Sequence, residues 1–132
     1  MKNSKVLKTI LIISGLIAAG IGGAILFTPV AFHASSGIEL GRNVSLFSEV
    51  RAPGGALMAS GIVIMLGAFI AELTFSSIVI SLMMYLSYGI SRILSMLIDG
   101  MPDEGIVVAA LVELVVGLVS IFALLKYREN EV

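Results

Sequence analysis

The stretch TFSSIVISLMMYLSYGISRILSMLID, residues 74–99, decides the architecture of the chain. It is mostly apolar, yet Thr74, Ser77, Ser81, Tyr85, Tyr88, Arg92, Ser95 and Asp99 recur at steps of three or four and fall on one helical face. At 1.5 Å per residue, a helix of this length crosses the ~30 Å hydrocarbon core of a bilayer. Hydroxyls, phenols and a guanidinium are costly against acyl chains, so the stripe is expected to face the bundle interior or a wet cavity. Such a face also serves as plain interhelical glue, at ~0.6 kcal/mol per bond.

Working outward, the short polar step Glu72-Leu73-Thr74 separates this span from an apolar run over about Ala52 to Ala71, which predicts a tight helical hairpin. Beyond it, Asp99-Gly100-Met101-Pro102-Asp103-Glu104-Gly105 reads as a stop and restart. Gly ends one helix, and Pro followed by acids opens the next. A further run, from about Thr9 to Phe27, carries no charge and follows Lys2, Lys5 and Lys8. A secretory signal also begins this way, but the run is long for a signal core, and Phe32 is bulky where a cleavage site wants a small residue, so retention is expected.

The expected fold is all-α, a four-helix transmembrane bundle forming one domain over residues 1–132, with spans about 6–27, 52–72, 74–98 and 103–126. Short alternating segments, the signature of a membrane β-barrel, are missing from the sequence. Lys2, Lys5, Lys8, Lys126 and Arg128 cluster at the two termini, whereas the loops after the first and third spans hold Arg42 and Arg51 against Glu39, Glu49, Asp99, Asp103 and Glu104. The positive-inside rule then places the N-terminus and C-terminus in the cytoplasm. One long outer loop, Thr28 to Val50, joins the first two spans; its Ile38, Leu40, Val44, Leu46 and Phe47 suggest a segment lying at the interface.

The composition agrees: 58% of the 132 residues are hydrophobic and 13% charged, with a mean hydropathy of +1.11. A net charge of -1 gives no field for nucleic acid, and the absence of cysteine removes thiolate metal sites, iron–sulfur clusters and cysteine nucleophiles. His33 is the one histidine, without convergent ligands nearby in the sequence, and no catalytic motif or cofactor fingerprint is present. No cofactor or metal is expected. Catalysis, were there any, would fall to Glu113 and Tyr88.

Two charges lie within the spans. Arg92 is seven residues before Asp99, and Glu113 seven after Ile106, so both sit about 10 Å below the same membrane face. An unpaired charge there costs at least ~2.5 kcal/mol, which pairing relieves; snorkelling of Arg92 and protonation of Glu113 is the other way out. Glu49 and Arg51, at the mouth of the second span, are expected to extend the network towards Asp99. The candidate pocket is thus Glu49, Arg51, Tyr85, Tyr88, Arg92, Asp99 and Glu113, with Tyr85 and Tyr88 as its floor and the arginines ready for an anionic headgroup. The second span carries Arg51, Gly54, Met58, Gly61, Met65, Ala68 and Glu72 on one face and is expected to pack on the third. The first offers Gly15, Ala18, Ala19, Gly22 and Gly23.

Phe27-Thr28-Pro29 with Phe32, then Ser48-Glu49-Val50-Arg51-Ala52-Pro53-Gly54-Gly55, then Arg92 with Asp99-Gly100-Met101-Pro102, and finally Glu113, resemble a known pattern. It is that of the uncharacterised bacterial four-span membrane proteins grouped as domain-of-unknown-function family 4345, and the likeness covers nearly the whole chain. The resemblance implies a multi-pass protein of the bacterial inner membrane and brings no reaction with it. Three functions follow as expectations: binding of a lipid or other amphipathic small molecule in an outer-leaflet pocket, an oligomeric channel or transporter for small ions, or an accessory subunit of a membrane complex. The expected partners are membrane lipids and a second copy or another membrane protein.

Overall fold

The computed structural model describes residues 5–131, with side chains as far as residue 129; Lys2, counted above among the terminal charges, lies outside the described residues. The described residues form five helices and no strand: α1 (Lys5–Phe27), α2 (Pro29–Ala34), α3 (Val44–Leu66), α4 (Ala71–Asp99) and α5 (Glu104–Glu131). All but α2 are long and apolar enough to cross a membrane, which makes this a multi-pass membrane protein. Side chains such as Leu16, Leu97, Leu118 and Phe122, at least half exposed within the protein, suit contact with lipid.

The bundle is built from two antiparallel pairs, α1 with α3 and α4 with α5. In the first pair glycine meets backbone. A Cβ on Gly22 would fall on the Met58 backbone and the Gly54 carbonyl, and one on Gly61 on the Ala19 backbone and the Gly15 carbonyl. The glycines on each helix stand two turns apart, Gly15 with Gly22 and Gly54 with Gly61, so both contacts fit a single antiparallel register. In the second pair glycine meets leucine: Gly89 receives Leu114, and Gly117 receives Leu86. This is a reciprocal fit in which a leucine side chain fills most of the space at each glycine.

The pairs join at the end where the chain starts and finishes. There Leu7, Leu11, Ile64, Ala68, Ile78, Ala123 and Tyr127 form the buried core. Hydroxyls of α4 tie it to the end of α3, Thr74 Oγ1 donating to the Gly67 carbonyl at 2.8 Å and Ser77 Oγ to the Val63 carbonyl at 2.8 Å. Ser81 and Ser120 bond at 2.8 Å between α4 and α5. At mid-height the Tyr85 hydroxyl donates to the Ser14 carbonyl of α1.

Several expectations need correction. The second membrane helix begins at Val44, not near Ala52, because Asn43 caps it by accepting from the Leu46 N–H at 3.1 Å. Pro53 lies inside this helix, forgoing one bond to the Glu49 carbonyl. The helix ends at Leu66, the turn is Gly67–Ile70, and Glu72-Leu73-Thr74 already belongs to the first turn of α4. The connection expected from Thr28 to Val50 is largely helical, with α2 and the start of α3 leaving only residues 35–43 between them. Most importantly, α3 packs chiefly on α1 and only secondarily on α4. The expected stop and restart holds: Gly100 adopts a φ of 99°, and Asp103 accepts from the Gly105 N–H at 3.0 Å.

Candidate functional site

The polar stripe of α4 changes character along its length. Thr74, Ser77, Ser81 and Tyr85 are buried; Tyr88 and Arg92 are half-buried; Ser95 and Asp99 are exposed. The change follows from the bundle: the four helices close at the terminal end, while between α1 and the α4/α5 pair at the loop end there is a cavity of ≈ 390 Å³. Ile17, Ile21 and Ile25 of α1 line one wall, Met84, Tyr85 and Tyr88 of α4 and Val108, Ala109 and Val112 of α5 the other. Phe32 of α2, with Ser35 and Ser36, covers the loop end. Proline at the first position of α2 and the step from Ala24 to the Thr28 N–H fold this cover back over the mouth.

Arg92 and Glu113 meet at the rim. Arg92 Nε donates to Glu113 Oε1 at 2.7 Å and Nη2 to Oε2 at 3.3 Å, a two-pronged arrangement that spends one edge of the guanidinium. The side chains are 32% and 15% exposed, so the pair faces the cavity and is screened from bulk solvent only in part. The Arg92 guanidinium also lies 5.7 Å from the Tyr88 ring centroid. Such a pair relieves two desolvation penalties together, which is the physical reason for placing both at one depth. A second compartment of ≈ 300 Å³ adjoins the first across Phe32, Tyr88 and Arg92, and Glu49, His33 and Pro53 line it. His33 Nδ1 is within 2.8 Å of the Pro29 carbonyl, so that bond fixes Nδ1 as the protonated nitrogen.

Of the seven residues singled out from sequence, Tyr85, Tyr88, Arg92 and Glu113 line the main cavity and Glu49 the adjoining one. Arg51 and Asp99 are corrections. Arg51 turns the other way, its Nη1 donating to the Leu26 carbonyl at 2.7 Å in the last turn of α1, where a cation suits the helix dipole. Asp99 is exposed and accepts from Ser95 at 3.3 Å within its own helix. Phe32, Ser36 and Ala109 border both compartments and were not anticipated. The Thr28-Pro29 step signals a helix start that places the first two; Ala109 carries no signal beyond its small size.

A family model described as "Domain of unknown function (DUF4345)" matches residues 6–124. The chain belongs to this family. The matched segment contains α2 to α4 whole and nearly all of α1, and it holds both members of the Arg92–Glu113 pair. No curated protein and no solved structure matches the chain. Membership of DUF4345 supplies no reaction, so chemistry has to come from the cavity. Among the described residues no three His, Asp or Glu side chains group as a metal site.

Proposed function

We propose that this DUF4345 protein holds an amphipathic small molecule, a lipid or a compound of lipid-like shape, in the cavity between its helix pairs. The observation that carries the reading is a mainly apolar space of ≈ 390 Å³ with Arg92, Glu113, Tyr88, Ser35 and Ser36 towards its loop end, the hydroxyl of Tyr85 deeper in being spent on the Ser14 carbonyl. That distribution suits a ligand with a tail and a head. The loop end carries Glu39, Glu49, Asp99, Asp103 and Glu104 against Arg42 and Arg51, while lysines gather at the other end, so the head would lie in the outer leaflet of a bacterial inner membrane.

A conduit for ions fits less well. The terminal end is filled by Leu7, Leu11, Ile64 and Ile78, each at most 1% exposed, and hydroxyls there are spent on helix-to-helix bonds. A path between protomers, or an accessory role in which the ion pair merely fixes packing, makes no use of the cavity. Ala109→Phe is the test, since it fills the space from a position bordering both compartments. Native mass spectrometry of the gently extracted protein is expected to show an adduct that the variant loses; an adduct of equal mass and occupancy in both would refute the pocket.

A further inference from the structure

Resting on the ligand-pocket reading, we infer that the ligand's head is uncharged and accepts hydrogen bonds, as an ester, carbonyl or hydroxyl does, and that it carries one hydrocarbon tail. Charge balance at the rim argues for the head. Among the described residues Arg92 is the one lysine or arginine lining either compartment, and Glu113 already holds one edge of its guanidinium with both carboxylate oxygens. Glu49 adds a second carboxylate, and Arg51, which would have tipped the balance towards anions, is turned onto the Leu26 carbonyl.

A phosphate or carboxylate head would therefore enter a rim already neutral or negative and lie beside Glu113. A cationic head would find both Glu113 oxygens engaged by Arg92 and the guanidinium next to them, and Glu49, the other carboxylate, is exposed, so solvent screens its pull. What remains open are donors. Arg92 Nη1 has no acceptor among the described residues, and the Tyr88 hydroxyl none either, so two donors face a space whose acceptor is taken. A neutral acceptor satisfies both without adding charge.

Size argues for the tail. Taking ~30 Å³ for each water-sized group, ≈ 390 Å³ holds about a dozen heavy atoms. That is one acyl or prenyl segment, and with the adjoining ≈ 300 Å³ for the head the two compartments together hold about two dozen heavy atoms, fewer than a two-chain phospholipid has.

The test uses the full chain in phosphatidylcholine nanodiscs and three dodecyl-chain photoprobes with a diazirine in the tail, their heads a glycerol ester, a carboxylate and a trimethylammonium. Labelling of Val108, Ala109 and Val112 is counted against labelling of Leu118 and Phe122, which face away from the cavity on the same helix. The glycerol ester is expected to label the cavity roughly tenfold over either charged probe, the effect of about one hydrogen bond to a charged group. Glu113→Gln releases Arg92, so the carboxylate probe should gain roughly tenfold in that variant. Tyr88→Phe leaves the ion pair intact and should lower labelling by the ester alone, which keeps the inference open to refutation should Glu113→Gln not accumulate. A wild-type preference for the carboxylate or the trimethylammonium probe would overturn the neutral head and leave the pocket standing. Equal labelling of cavity and lipid-facing residues by all three would overturn the pocket itself.

Discussion

The two helix pairs solve one problem differently. Between α1 and α3, glycines on both helices bring backbone against backbone, and the one side-chain hydrogen bond across the seam among the described residues, Arg51 to the Leu26 carbonyl, lies at its loop end. Between α4 and α5, each glycine accepts a leucine, and the same seam holds Ser81 with Ser120 and Arg92 with Glu113. The lesson is that where the backbones touch there is no room for polar side chains: the α1–α3 seam carries only Arg51, at its end and on a backbone carbonyl, whereas the seam filled by leucines carries paired polar side chains.

The harshest way to break this contrast is to put a side chain into the tight seam. Gly61→Leu should abolish the folded state, and Gly61→Ala, whose Cβ meets only backbone atoms, should still cost about 1–3 kcal/mol by overpacking; denaturant titration in detergent followed by far-UV circular dichroism measures both. Next comes the charged seam. Arg92→Met strands Glu113 in a partly open cavity and should cost about 2 kcal/mol, below the range for fully buried pairs because both groups retain some solvent. Replacing both, Arg92→Met with Glu113→Leu, should restore most of that stability by the same titration. A smaller effect, about 1 kcal/mol, is expected for Gly89→Ala, because the atoms it meets are mostly the side chain of the half-buried Leu114, which yields more readily than backbone. Equal losses for Gly61→Ala and Gly89→Ala would erase the distinction between the pairs. The mildest change is Ser120→Ala, expected near ~0.6 kcal/mol and measurable as a small shift in the unfolding midpoint.

How far the sequence foretold this can be judged at particular residues. The four spans were legible because apolar runs and bilayer thickness leave little choice, and equal seven-residue offsets put Arg92 and Glu113 at one depth. The partner of α3 was not. A face of small residues says that something approaches closely, not which helix does, and the short turn between α3 and α4 made the sequence neighbour look like the spatial one. The matched two-turn spacing of Gly15 with Gly22 and of Gly54 with Gly61 was the signal for the true pairing. The start of α3 was missed in the same region: the apolar run was counted from about Ala52, while the Asn43 cap sets the start at Val44. Arg51 was misplaced because depth along a helix does not give the direction of a long side chain, and the free carbonyl of Leu26 claimed it.

The backbone-to-backbone seam also orders the life of the chain. Both of its strips of glycine, together with the intervening α2, lie within the first half of the polypeptide, so every glycine contact of that seam is available before α4 and α5 leave the ribosome. Biogenesis would then proceed by setting the tight post first, with α4 and α5 docking on it afterwards to complete the shared core and bring in the charged seam.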